Sequence, residues 1–207
     1  MKLLALDTTS AVATAAVFLD GVCLLEREAD SAKKHAETAL PLIDSLLEET
    51  KISIREIDCF AVDIGPGSFT GVRIGVSLIN AMAFALNKPI IPVDSLLALY
   101  EAAGERKLPV ACILDARNGN GYAALYRAGE TLVPPSAVEI EPFLASLPQG
   151  AVIVGDAKEP KSFPRAKAVG DAALKLMDRA LSSVEPLYLR TAQAERLRAE
   201  RNKEKTV

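Results

Sequence analysis

Apolar residues in this chain fall into two patterns, short unbroken runs and stripes at helical spacing. Residues 3–6, 13–19 and 22–26 are short runs, the last two joined by Asp20-Gly21, a strong two-residue hairpin signal. They predict an antiparallel meander whose first strand ends in the oxygen-rich turn Asp7-Thr8-Thr9-Ser10. Ala36, Leu40, Ile43 and Leu47 then recur at helical spacing, and Leu42 and Leu46 widen the stripe. Pro41 inside that pattern predicts a kink or a late start to the helix. Ser53 and Glu56 form a capping box ahead of a strand at 59–64. After a glycine-rich turn, residues 70–86 are predicted helical, then 89–93 strand. A helix capped at Asp94-Ser95 runs on to Ala103 and stops at Gly104.

The order then repeats. Strands are predicted at 109–115, 122–126 and 130–133, a helix at 141–147, a strand at 151–154 and a helix at 171–181. Three strands, helix, strand, helix thus occurs twice, which predicts an α/β protein of two lobes with related topology. Each lobe is a mixed sheet, an antiparallel meander plus parallel strands, with flanking helices. The lobes are expected at 1–104 and 105–190. The charged tail at 191–207 reads as a solvated helix that frays, with phosphate contacts through Arg196, Arg198, Arg201, Lys203 and Lys205 as the alternative.

The predicted helix at 70–86 is unusual. Its polar positions Arg73, Ser77, Asn80 and Asn87 fall on one narrow stripe, while Val72, Ile74, Val76, Leu78, Ile79, Met82, Phe84 and Leu86 point in several directions. A helix apolar on most sides is covered on most sides, by another helix of the chain or by a partner. Gly71, Gly75 and Ala81 would admit a neighbouring helix closely, which favours the partner.

Composition narrows the chemistry. The chain has 207 residues, half of them apolar, and a formal charge of −3, which argues against a surface devoted to nucleic acid. Cys23, Cys59 and Cys112 are far apart in apolar contexts and are expected reduced and buried. No secretory signal or membrane span is expected: Asp7 interrupts the first apolar run, and Ser77 and Asn80 break the most apolar helix. A cytoplasmic protein is expected.

Strand, glycine-rich turn and helix around Gly65, Gly67, Ser68, Thr70 and Gly71 could face a phosphate, yet the stretch fits neither the P-loop nor the dinucleotide template. Its other reading is a tight turn that seats the helix on its sheet. Asp7, Thr8 and Thr9 could meet that loop across a cleft, with Asp115 and Arg117 at a later strand end, and hold ATP or ADP. A catalytic metal or a serine or cysteine triad is not expected. His35 is the single histidine.

Gly65-Pro-Gly-Ser-Phe-Thr-Gly-Val-Arg-Ile-Gly75 resembles the signature of the TsaB family. Leu4-Ala-Leu-Asp7-Thr8-Thr9, Leu114-Asp-Ala-Arg117, Tyr122-Ala-Ala-Leu-Tyr126 and Glu185-Pro-Leu-Tyr-Leu-Arg190 extend the likeness in order along nearly the whole chain. Asn80-Ala81 stands where the family pattern has Lys-Gly. The resemblance implies an actin-like fold, in two ribonuclease H-like lobes. It implies a non-catalytic subunit of the machinery that makes threonylcarbamoyladenosine in tRNA. Its partners would be a catalytic paralogue of TsaD type and an ATPase of TsaE type, with tRNA met through the complex and a homodimer when alone. The two long helices would form a four-helix bundle with their counterparts. The interface expected is Ala36, Leu40, Leu42, Ile43, Leu46, Leu47, Arg73, Gly75, Val76, Leu78, Ile79 and Met82, with any ATP or ADP at the subunit joint. An independent ATPase or small-molecule kinase of the same fold is the alternative.

Overall fold

The computed structural model describes residues 1–29, 34–104 and 107–189. The charged tail, with the basic side chains considered above, lies outside the described residues.

The first sheet is built from β1 (Lys2–Asp7), β2 (Thr14–Leu19), β3 (Val22–Glu28), β4 (Cys59–Asp63) and β5 (Ile90–Val93), in the order β3-β2-β1-β4-β5. The meander is antiparallel, and β4 and β5 join parallel to β1. Asp20 and Gly21 both take positive φ, 50° and 83°, the backbone a tight hairpin of this hand requires. Successive residues alternate between two buried faces, so β1 and β4 read as unbroken apolar runs.

Leu4, Leu6, Val17, Phe60 and Val62 face α1 (His35–Thr50) and α2 (Phe69–Leu86). Leu3, Ala5, Ala16, Phe18 and Ala61 face α5 (Ala166–Lys175), whose Ala166, Ala168, Val169, Ala172 and Ala173 pack against them. Small side chains on both surfaces let that helix lie close. Gly170 is the extreme case, because a Cβ there would overlap the edge of the Phe18 ring at Cε2 and Cζ.

The second sheet has the order β8-β7-β6-β9: β6 (Val110–Asp115), β7 (Asn120–Arg127), β8 (Glu130–Glu139) and β9 (Val152–Gly155). One face packs on α3 (Ser95–Ala103), where Tyr100 stacks on Tyr126 with centroids 4.9 Å apart. The other face packs on α4 (Ile140–Ser146).

Several expectations change. The boundary at 104/105 parts the two sheets, but α5 returns to the first sheet rather than finishing the second lobe. This helix starts five residues before the predicted one and ends at Lys175, because Gly170 seats an aromatic ring instead of breaking the pattern. Beyond it, Leu181 bridges to Ile90 at the edge of β5. β8 runs six residues past Val133 through Pro134 and Pro135, which an edge strand tolerates. α1 begins at His35 and continues through Pro41, so the late start is not observed.

The partner surface is the largest correction. Leu42, Ile43, Leu46, Leu47, Val76 and Ile79 are buried in the chain's own core, since α1 and α2 close side by side on one face of the first sheet. Ile→Ala at such a site costs about 2–5 kcal/mol, so a charge at Ile79 would report on folding and not on association. Gly75 is buried against the Thr8 side chain. Ala36, Leu40 and Arg73 are exposed, and Leu78 and Met82 are half-buried.

By length and apolar composition α2 would also qualify to cross a bilayer, despite Ser77 and Asn80. Here its Val72, Val76, Ile79 and Ala83 face lies on the sheet. Asn80 accepts from the Val184 amide at 2.9 Å and donates to its carbonyl at 2.8 Å, tying down the segment after Leu181.

Candidate functional site

Parallel strands β1 and β4 end side by side, and each ends in an aspartate, Asp7 and Asp63, both fully buried. Asp7 Oδ1 accepts from the Thr9 amide (2.8 Å) and the Thr9 hydroxyl (2.7 Å). Asp63 Oδ1 accepts from the Gly65 amide (2.8 Å) and the Ser95 hydroxyl (2.6 Å). The Thr9 hydroxyl also lies 3.4 Å from Asp63 Oδ2 and links the two carboxyls. Asp7 Oδ2 has no hydrogen-bond partner among the described residues.

Burial pushes the Asp7 carboxyl up to about 6, with the Thr9 hydrogen bonds opposing part of that rise. Burial, and then the charge of Asp7, push Asp63 well above the ordinary carboxylate range. Asp63 was not singled out from the sequence. The available signal was an acid closing a buried apolar strand immediately before the glycine turn.

Three amides of the glycine turn are bonded within the protein. Its Gly65 amide is taken by Asp63, the Ser68 amide donates to the Thr9 carbonyl at 2.8 Å, and the Gly71 amide donates to the Ser68 hydroxyl at 3.2 Å. Ser68 is therefore the N-cap of α2. A Cβ at Gly67 would stand 2.7 Å from the Thr9 carbonyl oxygen, and one at Gly71 would overlap the Thr8 carbonyl. The Thr8 hydroxyl in turn donates to the Gly71 carbonyl at 2.7 Å. These glycines bring the helix start down onto the Thr8-Thr9 turn, which is the seating role weighed against phosphate binding.

Above this joint lies a cleft of about 960 Å³ between the two sheets, within the size range of small-molecule sites. Of the nucleotide-facing candidates, Thr9, Gly67, Ser68, Thr70, Asp115 and Arg117 line it, while Asp7, Thr8, Gly65 and Gly71 are sealed behind it. His35 also lines it, with Nε2 2.8 Å from the Ser10 carbonyl oxygen. On the far wall Asp115 accepts from the Arg117 amide at 2.7 Å and donates its own amide to Asp156 at 2.6 Å. Burial pushes the Asp156 carboxyl up. Arg117 takes φ of 68°, a conformation few side-chain-bearing residues adopt.

Phe69 and Tyr188, at the cleft mouth, flank Arg73 on the outer side of α2. Down that side Arg73, Ser77, Ala81, Phe84 and Ala85 are exposed at helical spacing, and Phe84 is 87% exposed.

Comparison with known proteins is consistent with this architecture. The family model described as TsaD, tRNA N6-adenosine threonylcarbamoyltransferase, matches residues 29–196. The tRNA threonylcarbamoyladenosine biosynthesis protein TsaB of Haemophilus influenzae is 34% identical over 59% of this chain and 52% of its own length. The Bacillus subtilis protein of the same name is 34% identical over 71% of this chain and 66% of its own. The chain thus spans about half to two thirds of the length of these named relatives. An uncharacterized protein of Mycobacterium tuberculosis is 32% identical over 94% of both chains. A crystal structure from Pseudomonas aeruginosa, of an uncharacterized protein with similarity to the peptidase YEAZ, superposes with a TM-score of 0.78. It is 26% identical and covers 91% of this chain and 99% of that one.

Proposed function

This chain belongs to the TsaB branch of the TsaD family, and we propose from that membership that it is a subunit held by a catalytic paralogue of TsaD type. In this role it supports transfer of a threonylcarbamoyl group to adenosine in tRNA without carrying out the step. An ATPase of TsaE type is a further partner of the assembly, and tRNA is met through the complex. Alone, the same face closes a homodimer. This reading puts the protein in the cytoplasm.

The observation that carries the proposal is the outward stripe of α2. A soluble chain that leaves Phe84 almost fully exposed beside Ala81 and Ala85, with Met82 half-covered, offers an apolar face for another helix. A non-catalytic role agrees with the other end of that helix, where the Gly65, Ser68 and Gly71 amides are already bonded within the protein. The aspartates beneath them are sealed. On this reading an adenine nucleotide belongs at the joint with the partner and not on the glycine turn.

Titration calorimetry of the full chain with its TsaD-type paralogue tests this. Phe84→Asp and Ala81→Asp are expected to abolish association while circular dichroism and melting temperature stay as in the wild type. Undiminished binding by both would remove α2 from the interface. The second reading, an independent ATPase, has the size of the cleft in its favour. Micromolar ATP binding with turnover by the isolated chain would establish it instead.

A further inference from the structure

We infer that Arg73 is a preorganised anchor for a carboxylate on the protein that docks against α2, a step that rests on the partner face proposed above. The guanidinium stacks on Phe69, 3.7 Å from the ring centroid, and Nε donates to the Tyr188 hydroxyl at 2.7 Å. Phe69 and Tyr188 also meet each other, with centroids 5.4 Å apart.

Tyr188 is itself fixed. The adjacent Leu187 amide donates to the Ile64 carbonyl at 2.7 Å, and four residues earlier both backbone groups of Val184 are held by Asn80. The ordering entropy of a long side chain is therefore already spent in the free protein.

Arg73 is nevertheless unpaired in charge. The exposed Arg27 meets Glu49, and Arg165 meets Glu26 and Glu28. No carboxylate among the described residues meets Arg73, and its two terminal nitrogens make no hydrogen bond there. Stacking covers one face of the guanidinium and leaves its edge open, and that edge is the fork that takes a carboxylate with two parallel hydrogen bonds. The position also heads the stripe that continues through Ser77 and Ala81 to Phe84, so a helix laid on the stripe passes over it.

The chain's own tail is a poor source of the carboxylate. From 190 onward it carries six arginine and lysine residues against three glutamates. The occupant is an aspartate or glutamate of the TsaD-type paralogue.

The test measures affinity of the full chain for the purified paralogue at several salt concentrations, using Arg73→Gln, Arg73→Glu, Tyr188→Phe and Phe84→Asp. Arg73→Gln should weaken binding about tenfold at low salt and flatten the salt dependence, and Arg73→Glu should weaken it further. Tyr188→Phe, which keeps the charge and frees the side chain, should cost about threefold. Arg73→Gln within twofold of wild type overturns the anchor whatever Arg73→Glu does. If Phe84→Asp is then still impaired, the interface stands and only the anchor falls. If Phe84→Asp also binds normally, the interface and the anchor fall together. Loss of self-association in Arg73→Gln with unchanged paralogue binding would also overturn it, by assigning the carboxylate to a second copy.

Discussion

Asp7 and Asp63 set the behaviour of this fold at the scale of single residues. An aspartate in the unfolded chain titrates near 4, whereas burial holds the proton on Asp7 to about 6 and pushes Asp63 well above the ordinary carboxylate range. Between those limits the folded chain binds more protons than the unfolded one, so stability falls as pH rises. The penalty is absent below about 4 and complete above the folded values, which for Asp7 alone is on the order of 2–3 kcal/mol. Wild type should therefore melt at a lower temperature at pH 8 than at pH 5. Asp7→Asn keeps an acceptor for the Thr9 amide and removes the charge, so it should melt above wild type at pH 8 and lose that advantage by pH 5. Melting curves across pH check this. A variant that parallels wild type at every pH would mean Asp7 stays ionised in the fold.

At the scale of elements, α5 joins the lobes by lying on the sheet that opens the chain, and its approach depends on Gly170 under the Phe18 ring. Gly170→Ala should destabilise by roughly 1–3 kcal/mol through overpacking, with Phe18→Leu in the same chain recovering part of the loss. Chemical denaturation measures both, and a Gly170→Ala variant as stable as wild type would contradict the close contact. The same helix shows where reading the chain alone stopped. Asp20-Gly21, the Ser53–Glu56 box, the Asp94 cap and Gly104 were legible because each acts on backbone within a few residues. The helix expected at 171–181 and the strand expected at 130–133 had other bounds, because Gly170 answers to a distant ring and Pro134-Pro135 to an edge position. The candidate site divides the same way. Thr9, Asp115 and Arg117 could be named from their motifs. Asp63 could not, since its importance lies in ending beside Asp7 across a parallel strand pair, far away in sequence.

The whole molecule is a pair of sheets enclosing a cleft, with one helix, α2, buried along one side and exposed along the other. The inner side of α2 is consumed by the chain's own core, so the broad apolar arc seen in the sequence overstated the surface left for a partner. What remains is a narrower stripe from Arg73 to Ala85, remote in role from the sealed carboxyls. The account therefore separates two variants that a catalytic protein would not: Asp7→Asn should be harmless to function and Phe84→Asp fatal to it. The rate of threonylcarbamoyl transfer to tRNA, reconstituted from the paralogue, the ATPase and this chain, measures that separation. The account predicts a rate within twofold of wild type for Asp7→Asn and background for Phe84→Asp. Full activity with Phe84→Asp, or a rate that collapses with Asp7→Asn while the complex still forms, would contradict it.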